Sequence, residues 1–292
     1  MSGPRLALLT ALTMLAFAAN SILNRLAVGA ELIDPMGFAL VRVVSGALML
    51  VVLAVAQHRA LPMLARGRSV GALSLSLYLI GFSIAYVHLD AGIGALILFG
   101  LVQITMFAGA VIGAERVTPL RWTGAGVAFA GLAWLLWPAG AVQVPWVGAG
   151  AMALAGVGWG LYSLAGRKSA DPLSATAANF LWAVPICAVV PMLLPAQIDG
   201  VPMTGAGIAL AVLSGAVTSG LGYALWYHVL PRLQAAVAGL VQLSVPVIAV
   251  LGGAVLLAEP ASLRTLGAGA VVLGGIALGL WPRQRRIGSS GS

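Results

Sequence analysis

One cysteine, Cys187, stands in 292 residues, which removes disulfides, thiolate zinc sites and CxxC redox chemistry together. It reads as a small packing residue. Charge is nearly as scarce. Only 8% of residues are Asp, Glu, Lys or Arg, against about a quarter in soluble domains, so a water-soluble globular fold is excluded. No polar stretch longer than about a dozen residues exists to form a soluble domain on a single anchor. The chain also lacks His-Glu-x-x-His, a Walker lysine loop, Gly-x-Ser-x-Gly and any carboxylate dyad within an apolar run. Hydrolytic, nucleotide-driven and metal-dependent catalysis therefore find no residues to use, and no enzymatic activity, metal or cofactor is expected.

Apolar residues make up 61% of the chain, with 38 glycines besides, and the mean hydropathy is +1.06. Apolar runs fall at about 5–29, 35–57, 69–88, 90–113, 119–137, 146–166, 173–194, 204–229, 234–257 and 262–281. Each is near the ~20 helical residues that one bilayer crossing needs, so the expected fold is an all-α integral membrane protein of ten transmembrane helices. Pro35, Pro119 and Pro172 sit near the first turn of a run, while Pro138, Pro231 and Pro282 follow an end, where proline costs least. Arg5, the run Leu6–Leu15 and Ala16-Phe17-Ala18 imitate a cleavable signal. The run continues through Asn20 to Arg25, so the segment is expected to be retained.

A formal charge of +8 would suggest nucleic acid in a soluble chain. Here the basic residues are scattered singly between apolar runs, which makes them topology signals; the expected surroundings are membrane lipid, with no nucleic acid partner. With the N-terminus inside, the cytoplasmic segments hold Arg5; Arg59, Arg66 and Arg68; Arg116 and Arg121; Arg167 and Lys168; Arg232; and Arg283, Arg285 and Arg286. Outside fall only Arg25 and Arg264. The bias places both termini in the cytoplasm of a multi-pass inner-membrane protein.

The chain repeats itself. Gly109-Ala110-Val111-Ile112-Gly113-Ala114-Glu115 recurs as Gly253-Ala254-Val255-Leu256-Leu257-Ala258-Glu259. The same offset relates Leu89 to Leu233, Ala91 to Ala235, Gly131 to Gly275, and Trp137-Pro138 to Trp281-Pro282. Phe17, Ser21 and Arg25 match Trp159, Ser163 and Arg167, and Asp34-Pro35 matches Asp171-Pro172. The spacing predicts a first five-helix repeat over 5–138, a second over 145–282 and a cytoplasmic tail over 283–292. Five is odd, so the second copy enters the membrane from the opposite side. Inverted repeats of this kind let one half open inward and the other outward around a central site, as in many secondary transporters.

Several motifs resemble the drug/metabolite transporter superfamily, EamA type. They are the two Ala-Glu helix ends, Gly158-Trp159-Gly160-Leu161-Tyr162, Tyr223-Ala224-Leu225-Trp226-Tyr227 before Pro231, and Ala235-Ala236-Val237-Ala238-Gly239-Leu240 leading to Pro246. The resemblance covers residues 5–282 and implies ten helices in two inverted repeats and export of small metabolites. Within the superfamily the chain looks most like exporters of aromatic amino acids. Exporters of other metabolites or drugs, and a receptor or assembly protein that moves no solute, are the alternatives. Two residues depart from the pattern: Phe17 stands where the family often has Trp, and Val102 where the second half has Pro246.

Polar side chains at mid-membrane depth must face a partner helix or a wet cavity. Gln103 lies near the middle of the fourth run, with Phe99 and Phe107 four residues to either side on one face. In the ninth, Ala235, Gly239, Gln242 and Pro246 share a face. The competing role for both amides is to bridge closely packed helices. Tyr78 and Phe82 in the third run, Trp159 in the sixth and Tyr223 in the eighth offer rings with polar tips, suited to a small amphipathic substrate. With Phe17 and Asn20 on the first run, the predicted substrate-binding set is Phe17, Asn20, Tyr78, Phe82, Phe99, Gln103, Trp159, Tyr223 and Gln242, for an amino acid or similar metabolite. Tyr86, Trp226 and Tyr227 lie near run ends and are set aside as interfacial belt residues.

Arg42 stands about 10 Å along its helix from Pro35 and is expected to pair with Asp34 or Glu31 as a structural or gating charge, with direct contact to the substrate as the alternative. Asn20, Asn24 and Arg25 add a polar stripe to the first helix. The acids Glu31, Asp34, Asp90, Glu115, Asp171, Asp199 and Glu259 all fall at loops or span ends. Proton- and sodium-coupled carriers usually hold a carboxylate at the midplane, so transport down the substrate gradient is expected. Alternating access would rock spans three and four against eight and nine, and because Val102 replaces the matching proline, the ninth span should bend more than the fourth. The orientation is directly testable: cysteines introduced at Gln143 and at Arg66 should label from opposite sides of intact cells, and labelling of both from outside would overturn it.

Overall fold

The computed structural model describes residues 2–89, 91–137, 145–167, 169–193, 201–256 and 263–281. Asp90, Gln143, Lys168, Asp199, Glu259 and the tail 283–292 lie outside the described residues. The first half holds α1 (Gly3–Val28), α2 (Pro35–Ala56), α3 (Arg68–His88), α4 (Ala91–Ile112) and α5 (Pro119–Leu136). The second holds α6 (Trp146–Arg167), α7 (Pro172–Val189), α8 (Gly205–Leu213), α9 (Gly222–Val229), α10 (Ala235–Gln242), α11 (Ser244–Leu256) and α12 (Leu263–Leu280). Every predicted run coincides with a helical stretch. Among the described residues, seven stretches are long and apolar enough to cross a membrane: 3–28, 35–56, 68–88, 146–167, 172–189, 205–232 and 235–256.

The helix starts follow from local chemistry. Asp34 caps α2, its carboxylate accepting from the Met36 and Gly37 amides at 3.0 and 2.8 Å, with Pro35 at the first helical position. Asp171 caps α7 in the same way, accepting from the Ser174 amide and hydroxyl and binding Arg59 at 2.6 Å. Burial opposes the charged form of Asp171, but the bonds from Ser174 and Arg59 outweigh it and hold the carboxyl below its ordinary value. The repeated Asp-Pro pair thus builds the same N-terminus twice.

The eighth run is not one α-helix. Between α8 and α9, residues Ser214–Leu221 form a π-helical stretch, a geometry frequent at functional sites. It lies against α2 so closely that a Cβ at Gly215 would overlap Ser45 Oγ and the Arg42 carbonyl. The ninth run breaks at Leu243, between α10 and α11, with Pro246 buried in the first turn of α11, whereas α4 runs unbroken from Ala91 to Ile112. The ninth run is thus interrupted three residues before Pro246, while the fourth, with Val102 at the matching position, is continuous.

Around this centre α3 packs on α6, α2 on α7 and on the π-helical stretch, α1 on α8, the π-helical stretch, α9 and α11, and α5 on α12. The α5–α12 contact is backbone to backbone: a Cβ at Gly275 would sit 2.5 Å from the Ala128 nitrogen. Small residues are what allow such approach in lipid, where packing rather than hydrophobic burial holds helices together. Gly275→Val should therefore lower thermal stability in detergent by about 1–3 kcal/mol, whereas Gly274→Val, at a position with nothing within 4 Å, should leave the melting temperature near wild type.

Candidate functional site

Arg42 is fully buried. From two turns inside α2 its guanidinium reaches residues in the middle of α3 and at the start of α9. Nε donates to Ser219 Oγ at 2.9 Å, and Nη2 donates to the hydroxyls of Tyr78 and Tyr223, each at 3.0 Å. The rings of Tyr78 and Phe82 cover the cation, with centroids 5.3 and 5.2 Å from Cζ, a favourable cation–π distance. Nη1 is buried without an acceptor.

The expected pairing of Arg42 with Asp34 or Glu31 is overturned. The Asp34 carboxylate is engaged by the first turn of its own helix, and Glu31 lies exposed in the turn before it, with φ 54°. A carboxylate at the helix start was the nearest acid in sequence, but Arg42 extends toward the centre of the bundle, where hydroxyls of three other stretches surround it.

Those hydroxyls belong to one aromatic cluster. Phe17 packs edge-on to Trp159 at 5.1 Å and to Tyr223 at 5.7 Å. Trp159 lies 5.0 Å from Tyr78 and 4.6 Å from Tyr223, and Tyr78 lies 5.2 Å from Phe82. Trp159 Nε1 donates to Gln242 Oε1 at 2.7 Å, while the Gln242 amide nitrogen donates to the Ala238 carbonyl. Asn20 Oδ1 accepts from Ser214 at 2.7 Å and from Thr218, which ties α1 to the π-helical stretch. Seven of the nine predicted residues, Phe17, Asn20, Tyr78, Phe82, Trp159, Tyr223 and Gln242, thus form a single network with Arg42.

Gln103 and Phe99 stand to one side. Both are buried, but among the described residues no ring contact joins Phe99 to the cluster. Gln103 lies beside Gly239, where a Cβ would come within 3.0 Å of its Oε1, and neither of its amide atoms has a hydrogen-bond partner. It faces the same helix that carries Gln242.

Tyr86, Trp226 and Tyr227 are not belt residues. All are buried: Tyr86 packs edge-on to Phe82, Trp226 to Phe17 and Tyr227 to Tyr162. Proximity to a helix end misleads here because the eighth stretch continues to Arg232. Tyr227 donates to the Tyr162 carbonyl at 3.0 Å and also lines a cleft of about 800 Å³ with Gln57, Arg59, His228 and Arg232, at the end that the basic residues mark as cytoplasmic.

The residues that sequence reasoning missed are short polar ones. Ser214, Thr218 and Ser219 carried a signal, a Ser/Thr/Gly-rich patch inside an apolar run, but their bonding required the π-helical turn. Glu115, found as part of the repeat, binds Arg167 and accepts from the Ala235 amide at 2.9 Å, so it caps α10 from across the bundle. Among the described residues, no group of three or more His, Cys, Asp or Glu side chains is placed to hold a metal ion.

Residues 146–281 match the EamA-like transporter family. An uncharacterized protein of Pseudomonas aeruginosa is 48% identical over the full length of both chains. An uncharacterized transporter of Archaeoglobus fulgidus is 26% identical over 214 residues, 70% of this chain and 74% of its own. A solved crystal structure, 20% identical, superposes with a TM-score of 0.78 over 96% of this chain and 98% of that one, which shows a shared fold.

Because both tyrosine hydroxyls accept from one nitrogen of a buried cation, Tyr78→Phe and Tyr223→Phe should each cost about 1–3 kcal/mol. The double variant should lose more than the sum, since Nη2 then has no acceptor at all. Thermal unfolding of the four proteins in detergent checks this, and simple additivity would count against the shared bond.

Proposed function

We propose that this chain, a member of the EamA-like transporter family and so a multi-pass membrane transporter of the drug/metabolite transporter superfamily, exports small amphipathic metabolites, with aromatic or other hydrophobic amino acids as the substrate class. Its ten helical stretches act as ten crossings in two inverted five-helix repeats, 5–138 and 145–282, with both termini in the cytoplasm and the chain in the inner membrane. The observation that carries this reading is the meeting of Phe17 and Trp159. They are counterparts in the two repeats, and their rings lie 5.1 Å apart at the buried centre of the bundle. A pseudo-two-fold axis in the membrane plane brings related residues together at such a point.

Other pairings support the same axis. The α3–α6 packing has its counterpart in the packing of α1 on the eighth stretch, while α5 and α12 pack on each other, as do α2 and α7. The site is suited to a ring-bearing substrate: apolar faces from Phe17, Phe82 and Trp159, and a few polar groups to orient it. Alternating access would open this cluster to one side at a time. The break at Leu243 lets the lower and upper parts of the ninth stretch move separately, and the π-helical stretch, with fewer strict i→i−4 bonds, gives the eighth a place to adjust.

Proteoliposomes preloaded with labelled phenylalanine, tryptophan, threonine, methionine, a nucleotide or a sugar test the reading. Wild type should release the aromatic amino acids fastest, and Trp159→Ala and Gln242→Ala should each cut that rate at least about tenfold with folded yield intact. Movement of no solute would overturn transport of these classes; wild-type rates in both variants would remove the cluster as the site.

A further inference from the structure

We propose that Arg42 is the anchor for a carboxylate group on the transported molecule, an inference that rests on the transport reading and names the charge of its substrate. Among the described residues Arg42 is the only charged side chain that is buried, and none of α1 to α12 contains an Asp or Glu. The described acids, Glu31, Asp34, Glu115 and Asp171, all lie in turns or caps, and the ion pairs they make go to other arginines. The tyrosine and serine hydroxyls around Arg42 satisfy three of its N–H groups without neutralising it. A buried, uncompensated guanidinium costs several kcal/mol, and the cost falls only when an anion arrives.

One donor group of the guanidinium is left without a partner. Nε and Nη2 are occupied, but Nη1 is buried with no acceptor, so two N–H donors of a planar fork remain for an oxygen. Charge-assisted bonds of this type are among the strong ones. The count of charges selects the group: one buried cation matches a carboxylate, whereas a phosphate would bring a second negative charge into the same apolar site with nothing to balance it. The rings of Tyr78 and Phe82 over the cation, and Trp159 packed beside Tyr78 and Tyr223, set an aromatic body directly next to the anchor. A small molecule with a carboxylate at one end and a flat apolar body at the other meets both features.

Thermal unfolding of the full chain in detergent separates the possibilities, using phenylalanine, 3-phenylpropionate and phenethylamine. The first two should raise the melting temperature and the third, which lacks the carboxylate, should not. Arg42→Gln should weaken phenylalanine binding about a hundredfold, while Arg42→Lys, which keeps the charge but not the fork, should bind more tightly than Arg42→Gln and more weakly than wild type. An equal shift by phenethylamine, an equal shift by chloride alone, no shift by any of the three compounds, or unchanged binding to Arg42→Gln would each overturn the anchor. Should Arg42→Gln fail to fold, the three compounds on wild type and on Arg42→Lys decide it. Transport distinguishes the two readings: phenethylamine moved as fast as phenylalanine leaves the carrier and removes the anchor, whereas Arg42-dependent binding of phenylalanine with no movement leaves the anchor and removes the carrier.

Discussion

The guanidinium of Arg42 has no water to face, so protein groups must solvate it, and the centre of the bundle is arranged around that need. Ser219 reaches Nε from a helix wound as a π-helix, and the winding brings its backbone against α2 only because Gly215 has no side chain. Tyr78 and Tyr223 point their hydroxyls at Nη2, which fixes the planes of their rings. Those rings are then the surfaces on which Trp159 and Phe17 pack. Trp159 in turn spends its one N–H on Gln242, tying α6 to α10. The hydrogen bonds of a single buried charge thereby join α2, α3, the π-helical stretch and α9, and ring contacts extend the cluster to α1 and α6, in a medium where apolar contact alone distinguishes poorly between neighbours.

The two halves share scaffolding and differ in charge. Asp34 and Asp171 cap equivalent helices. The offset between them, 171 − 34, carries Arg42 to Asn179, and Asn179 accepts from Arg68 at 2.8 Å near the start of α3. At matching positions one half therefore buries a cation and the other a neutral amide. The ties at the end marked cytoplasmic are built from Glu115, Arg167 and Ala235, positions that belong to the repeat.

Much of the architecture was legible because a bilayer constrains length, composition and charge placement so severely. The ten apolar runs matched helical stretches to within a few residues, and the Asp-Pro pairs marked real N-termini. Seven of the nine candidate residues fell in one network, since polar and aromatic side chains in a lipid-spanning helix have few places to go except inward. The errors share one cause. Asp34 was assigned to Arg42 by nearness along the chain, and Tyr86, Trp226 and Tyr227 were assigned to the interface by nearness to a helix end. Distance along one helix says nothing of what other helices bring alongside.

The amino-acid sequence by itself determined that this is an apolar, multi-helical membrane chain, where its helices start and which of its segments repeat, because each of these depends on local composition, capping or periodicity. Only the tertiary structure decided what Arg42 touches, that Gln242 binds Trp159 while Gln103 finds no protein partner, and that the eighth stretch winds as a π-helix. Those outcomes depend on hydrogen bonds and ring contacts between residues up to 199 positions apart, such as Ser219 and Asn20, and on backbone approaches that no single helix encodes.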